Sequence, residues 1–163
     1  MRQDKLTTKF QEALADSQSL ALGNDNAYIE PVHLLAAMLR QDDGPRALLE
    51  RAGANVPGLL QAAEAAIKKL PKVEGHDQVQ VGPELGKLLQ ATEKESIKRN
   101  DHFIASELFL LALADSKADI GNLARSNGVT RKSLEAAIDA VRGGEGGNSA
   151  AAEGQRQAPK KNS

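Results

Sequence analysis

The second half of the chain repeats the first at a constant offset of 75 residues, and this restricts the fold more than any other feature of the sequence. Leu14 returns as Leu89, Ile29 as Ile104, Leu35 as Leu110, Ala37 as Ala112, Leu48 as Leu123, Gly53 as Gly128, Leu59 as Leu134, Ala62 as Ala137 and Ala65 as Ala140, with no insertion. Conservative pairs keep the same register: Tyr28 with Phe103, Leu34 with Phe109, and Pro31 with Ser106, both helix-starting residues. Chance produces some identities in a chain rich in alanine and leucine, but it does not align both helix-ending glycines and both helix starts. Two similar units of this size are expected to pack about a pseudo-twofold axis. The expected organisation is repeat one over about 1–70, a connection over 71–82, repeat two over 83–142 and a tail over 143–163.

The apolar residues recur at helical rather than alternating spacing, and β-branched and aromatic residues are scarce, so the fold class is all-α. Leu6, Phe10, Ala13, Leu14, Ser17 and Ala21 form the stripe of a first helix, which Gly23-Asn24-Asp25-Asn26 ends with residues that tolerate left-handed geometry. Pro31 starts a short, very apolar second helix to about Gln41, whose composition predicts burial. Asp42-Asp43-Gly44-Pro45 breaks it, Arg46 to Ala52 forms a third helix ended by Gly53, and Pro57 to about Leu70 forms a fourth. Duplication makes about eight helices in two four-helix repeats. Residues 72–82 lack helical periodicity and read as an exposed connection with a brief extended stretch at Val79-Gln80-Val81. Beyond Arg142 the glycine-rich, polar sequence has too little apolar mass to offset the entropy of ordering it, and reads as a flexible linker.

Composition excludes several chemistries. With 21 basic and 22 acidic side chains among 163 residues, the net charge of −1 supplies no positive field to gather nucleic acid. The absence of cysteine removes disulfides, thiolate zinc sites and cysteine nucleophiles. Residues 1–5 run into an amphipathic pattern without the apolar core of a secretory leader, so a cytoplasmic location is expected. The longest apolar runs, such as Leu108 to Ala114, fall far short of the roughly 20 residues that span a bilayer, so no membrane association is expected. Gly143 to Gly147 lacks the spacing of a phosphate-binding loop. His33, His76 and His102 are too dispersed to suggest a metal centre, and His33, beside Leu34 and Leu35, reads as a packed histidine.

Leu123 to Leu134 is similar to a DNA-binding helix-turn-helix, with Gly128 at the turn and Arg131 and Lys132 early on the second helix. Its duplicate, Leu48 to Leu59, keeps the plan but holds only Arg51 as a base, so the plan belongs to the scaffold. No nucleophile, base or metal constellation is present, so catalytic, cofactor-binding and metal-binding residues are none. Asp101 and Glu107 stand out because they flank Phe103 and Ile104 where the chain enters its most apolar helix. Their simplest roles are a turn residue and a first-turn acid favoured by the helix dipole, and Thr7 could similarly cap the first helix.

Leu6 to Leu14, Ala21-Leu22-Gly23, Ile29 to Leu35 and Phe103 to Leu108 together resemble the Clp N-terminal domain family over essentially all of residues 1–142, most closely its ClpB-type subgroup. The resemblance implies a mobile domain above a homohexameric AAA+ ring that captures exposed apolar segments of unfolded or aggregated polypeptides. ATP and magnesium would serve modules absent from these residues, a co-chaperone system of the DnaK type is an implied partner, and the isolated domain would be monomeric. The family's substrate groove, carried over by motif, assigns substrate-binding roles to Thr7, Asp101 and Glu107, with Leu89 and Leu108 as apolar groove residues. Ala91 and Glu95 stand where related sequences carry larger apolar side chains, which implies a shallower, more polar groove. The alternative implied by the ClpA and ClpC subgroups is a docking module for a folded adaptor.

Overall fold

A computed structural model describes residues 3–75 and 77–144. A single 3-10 turn, Gln3–Lys5, leads into α1 (Thr8–Gly23), β1 (Tyr28–Ile29), α2 (Pro31–Leu39), α3 (Pro45–Arg51) and α4 (Val56–Lys68). β2 (Gln80–Val81), α5 (Pro83–Lys98), α6 (Ser106–Asp115), α7 (Asp119–Ser126) and α8 (Arg131–Gly144) follow. Each helix of the second set begins within a residue of its counterpart's start plus 75, so the duplication seen in the sequence is a duplication of structure. α2 and α4 each stop two residues short of the expected Gln41 and Leu70, because each is finished by a capping turn at Arg40 and Lys69. α8 continues through Gly143 and Gly144, into what reads as linker from composition, and the remainder of the expected tail lies outside the described residues.

The local stop signals act in duplicate. Asp25 and Asn100, 75 residues apart, adopt left-handed conformations at φ 59° and 60° and turn the chain out of α1 and α5. Gly53 and Gly128 share φ 86° and end the third helix of each repeat. They also meet in space: a Cβ on Gly128 would lie 3.3 Å from the Gly53 carbonyl oxygen, and the Asn55 N–H donates to the Asn127 carbonyl at 2.9 Å. This contact lies close to the pseudo-twofold axis.

The two repeats exchange their leading segments. β1 and β2 are parallel, with Tyr28 opposite Gln80 and Ile29 opposite Val81, while Leu6 forms an equivalent parallel bridge to Ile104. The segment entering the first helix of each repeat therefore pairs with the segment entering the second helix of the other. Helix packing follows the same rule, since α3 packs on α8 and α4 on α7.

α2 and α6 form the centre. All nine residues of α2 are buried, as are Ser106 through Ala114 of α6, which is what helices apolar on every face require. α1 and α5 lie along them, and an edge-to-face pair between Phe10 and Phe109, centroids 6.4 Å apart, ties α1 to α6 across the repeat boundary.

Candidate functional site

Thr7 is wholly buried at the junction of the two repeats. Its Oγ1 accepts from the Phe10 N–H at 3.2 Å as the cap of α1, and its own N–H donates to the Ile104 carbonyl at 3.2 Å. A few residues further on, Asp101 and Glu107 are joined by a residue that motif reasoning missed. The Arg142 guanidinium donates through both terminal nitrogens to the Asp101 carboxylate at 3.1 and 3.0 Å, and through Nε and one terminal nitrogen to Glu107 Oε2 at 2.9 and 2.6 Å. All three side chains are almost completely buried.

The sequence did hold a signal for this cluster. Leu134, Ile138 and Arg142 follow one another at i, i+4 spacing on α8, so the arginine continues a buried apolar stripe and needs anionic partners. Burial pushes the Asp101 carboxyl above its ordinary range even though Arg142 pulls it down. Burial also works against the arginine cation, but Glu107 and Asp101 more than offset it and raise its pKa. Two carboxylates sharing one guanidinium in a site closed to water form a tightly held structural clamp.

The apolar candidates separate. Leu108 is wholly buried in the core and presents no surface to a ligand in this conformation, because α6 is enclosed on all sides. Leu89 on α5 is half-buried against that core, and two turns further along the same face Ile97 is 71% exposed. Leu89 and Ile97 are therefore the apolar candidates on α5 that reach the surface, with Ile97 four residues before Asp101. Glu95, between them in sequence, is drawn inward and held by Arg131 at 2.7 Å. Arg131 also reaches Asp115 at 3.2 Å and Glu135 at 3.3 Å, so this base, prominent in the helix-turn-helix pattern, is engaged within the fold.

Repeat one resolves the equivalent of the clamp differently. Asn26, the counterpart of Asp101, meets His33, the counterpart of Leu108: His33 Nε2 lies 2.9 Å from Asn26 Oδ1, and His33 Nδ1 accepts from the Glu30 N–H at 2.8 Å. These partners assign a neutral ring carrying its proton on Nε2. Burial lowers the His33 pKa to about 4.

An open groove of about 610 Å³ lies between the repeats, where the start of α2, the end of α4, the start of α5 and α7 converge. Val32, Leu70, Ile120 and Leu123 contribute apolar wall, and Glu30, Glu84, Asp119 and Lys69 stand around it. Among the described residues no group of three or more His, Asp or Glu side chains is arranged to hold a metal ion, and no helix is long and apolar enough to cross a membrane.

Comparison with known proteins agrees with this fold. Residues 5–127 match the model of the Clp repeat (R) N-terminal domain. The chain is 43% identical over 159 residues to the chaperone protein ClpB of Dichelobacter nodosus, covering 96% of this chain and 18% of that protein. It therefore spans about a fifth of the length of the curated relatives it matches. Among solved structures it superposes on the Hsp104 N-terminal domain from Candida albicans with a TM-score of 0.76 at 20% identity, covering 91% of this chain and 98% of that one. It also superposes on a ClpV N-domain in complex with a VipB peptide, with a TM-score of 0.66 at 21% identity, covering 83% and 85% of the two chains.

Proposed function

Because the chain belongs to the Clp repeat N-terminal domain family, we infer that it is the substrate-capture domain of an ATP-dependent protein disaggregase, binding exposed apolar segments of unfolded or aggregated polypeptides. The observation that carries this reading at the level of the site is Ile97, the most exposed large apolar side chain among the described residues, in line with half-buried Leu89 on α5. Thr7, Asp101 and Glu107 act beneath this face, with Leu108 backing it from the core: Thr7 fixes the start of α1, and the two acids hold Arg142 and so set the junction between α5 and α6.

The energetics suit capture followed by release. Covering one or two leucine-sized side chains contributes roughly 1.5–3 kcal/mol each, which after association and ordering costs leaves affinities of roughly micromolar to millimolar. Several copies carried on a cytoplasmic homohexameric ring would raise the effective concentration. ATP and magnesium serve the ring modules, and transfer of substrate from a DnaK-type co-chaperone precedes or accompanies capture.

The test is a fluorescence-anisotropy titration of a labelled, permanently unfolded polypeptide with this chain, alongside Ile97→Asp and Leu89→Asp. Both positions reach the surface, so helical content should persist while affinity falls about tenfold or more. Unchanged affinity in both variants would sink the assignment of this face. The peptide seated on the ClpV N-domain favours one second reading, docking of a single defined partner. That reading requires saturable binding of one folded protein and indifference to generic unfolded chains.

A further inference from the structure

The pseudo-twofold axis gives every feature of one half an internal control in the other, and the groove between the repeats differs sharply from its counterpart. At the symmetry-related position, where α1 meets the turn before α3, the counterparts of the groove's mouth are spanned by the chain's own ion pair: Lys9 lies 2.7 Å from Asp43. Their duplicates at the groove are Glu84 and Ala118, an acid facing a methyl group, which cannot close over it. Where the symmetry-related position carries the cation of Lys9, the groove carries the acid Glu84 and leaves an open volume of about 610 Å³, within the range that holds a ligand or a short peptide segment.

The charge of the groove is the complement of what it lacks. Glu30, Glu84 and Asp119 border the groove against the single lining base Lys69, and none of the three acids is ion-paired with another of the described residues. Partial burial holds the Glu30 carboxyl above its ordinary range, and repulsion from Glu84 adds to the same effect. A cation placed between them relieves both effects. The walls are apolar, with Val32, Leu70, Ile120 and Leu123 on opposing elements, so a bare ion would leave most of the groove empty.

We propose that this groove is a second binding site, for an extended polypeptide segment in which a lysine or arginine is flanked by large apolar side chains. The cation seats between Glu30 and Glu84, and the apolar side chains lie against Val32, Leu70, Ile120 and Leu123. The site deepens the substrate-capture reading and rests on it, adding a preference for basic-apolar segments to the apolar face of α5.

The experiment is an NMR titration of the isotope-labelled 163-residue chain with a short, unstructured peptide carrying arginine between leucine and phenylalanine, beside the same peptide with glutamate for arginine. The expected result is amide shifts concentrated at Val32, Leu70, Glu84 and Ile120, and affinity at least about tenfold weaker for the glutamate peptide. Grafting the symmetry-related closure onto the groove, Glu84→Lys with Ala118→Asp, should abolish these shifts while thermal unfolding and binding at the Leu89–Ile97 face persist. Shifts confined to the α5 face, equal binding of the two peptides, or full retention of groove shifts in the double variant would each overturn the proposal while leaving capture by α5 intact. Absence of binding by either peptide at either surface would overturn this proposal and the capture reading together.

Discussion

His33 links stability to pH in a window few other groups share. The ring is fully buried, and both nitrogens are committed in the neutral form, Nδ1 accepting from the Glu30 N–H and Nε2 facing Asn26 Oδ1. Its folded pKa is about 4, against 6.5 in the unfolded chain. Between those values the unfolded state binds the extra proton and the folded state does not, so stability rises with pH across the window. The stabilisation is complete above about pH 6.5 and is lost as pH falls toward 4. For one group with these two constants, lowering pH from 7 to 5 removes about 2 kcal/mol, which for a domain of this size lowers Tm by about 4–8 °C. The assay is urea unfolding at pH 7, 6 and 5, comparing the chain with His33→Leu, since the other repeat already carries Leu108 at the equivalent position. Asp101, whose folded pKa is raised, contributes with the opposite sign, but it is common to both proteins and cancels in the difference. The chain should lose about 2 kcal/mol more than the variant. Equal pH slopes, or an imidazole NMR titration showing His33 protonated near pH 6, would refute the reasoning.

Arg142→Ala strands two buried carboxylates and should cost about 3–5 kcal/mol in urea unfolding; a loss below about 1 kcal/mol would mean that water reaches the clamp. Gly53→Ala and Gly128→Ala both force alanine to φ 86°, a backbone strain of about 1 kcal/mol that is the whole expected cost at Gly53. Gly128→Ala should cost distinctly more, because its Cβ also presses within 3.2 Å of Ala54 Cα, whereas Gly53 faces open space, and equal Tm shifts would contradict that ordering. In Gly121→Ala the new methyl group runs into the Ser116 carbonyl oxygen, so a loss of at least about 2 kcal/mol is expected, measured by thermal unfolding.

The helices and their duplication are legible in the sequence because their signals are local: an apolar stripe such as Leu6–Phe10–Ala13, a proline at Pro31 or Pro83, a left-handed residue at Asp25 or Asn100. The exchange of β1 and β2 between repeats is not, because it rests on two-residue strands whose partners are about fifty residues apart. The candidate site divides along the same line. Asp101 and Glu107 attract notice as acids beside an apolar helix, but their meaning depends on Arg142, 35 residues beyond Glu107, at a point where the following glycines suggest that the helix has ended. The burial of Leu108 was readable from a helix with no polar face. Family resemblance nominates it as a groove residue, since a motif fixes position in the chain rather than exposure.

The two halves show why a duplicated scaffold need not remain symmetric. Each repeat must satisfy the polar groups that follow its left-handed turn, next to a helix buried on every side. Repeat one uses neutral groups, with Asn26 and His33 hydrogen-bonded to each other and Asn26 Nδ2 donating to the Pro71 carbonyl. Repeat two uses charge, with Asp101 and Glu107 gripping Arg142. A buried ion pair contributes little net stability compared with apolar packing, because desolvation offsets most of the attraction, but its geometry is strict. Arg142 sits in the last turns of α8, two residues before its end at Gly144. The clamp therefore fixes the end of α8 against the junction of α5 and α6, and so fixes the direction in which the chain leaves this part of the fold. The neutral network of repeat one spans no such exit. In repeat one the end of α4 instead borders the open groove between the repeats, which Glu30, Glu84 and Asp119 line.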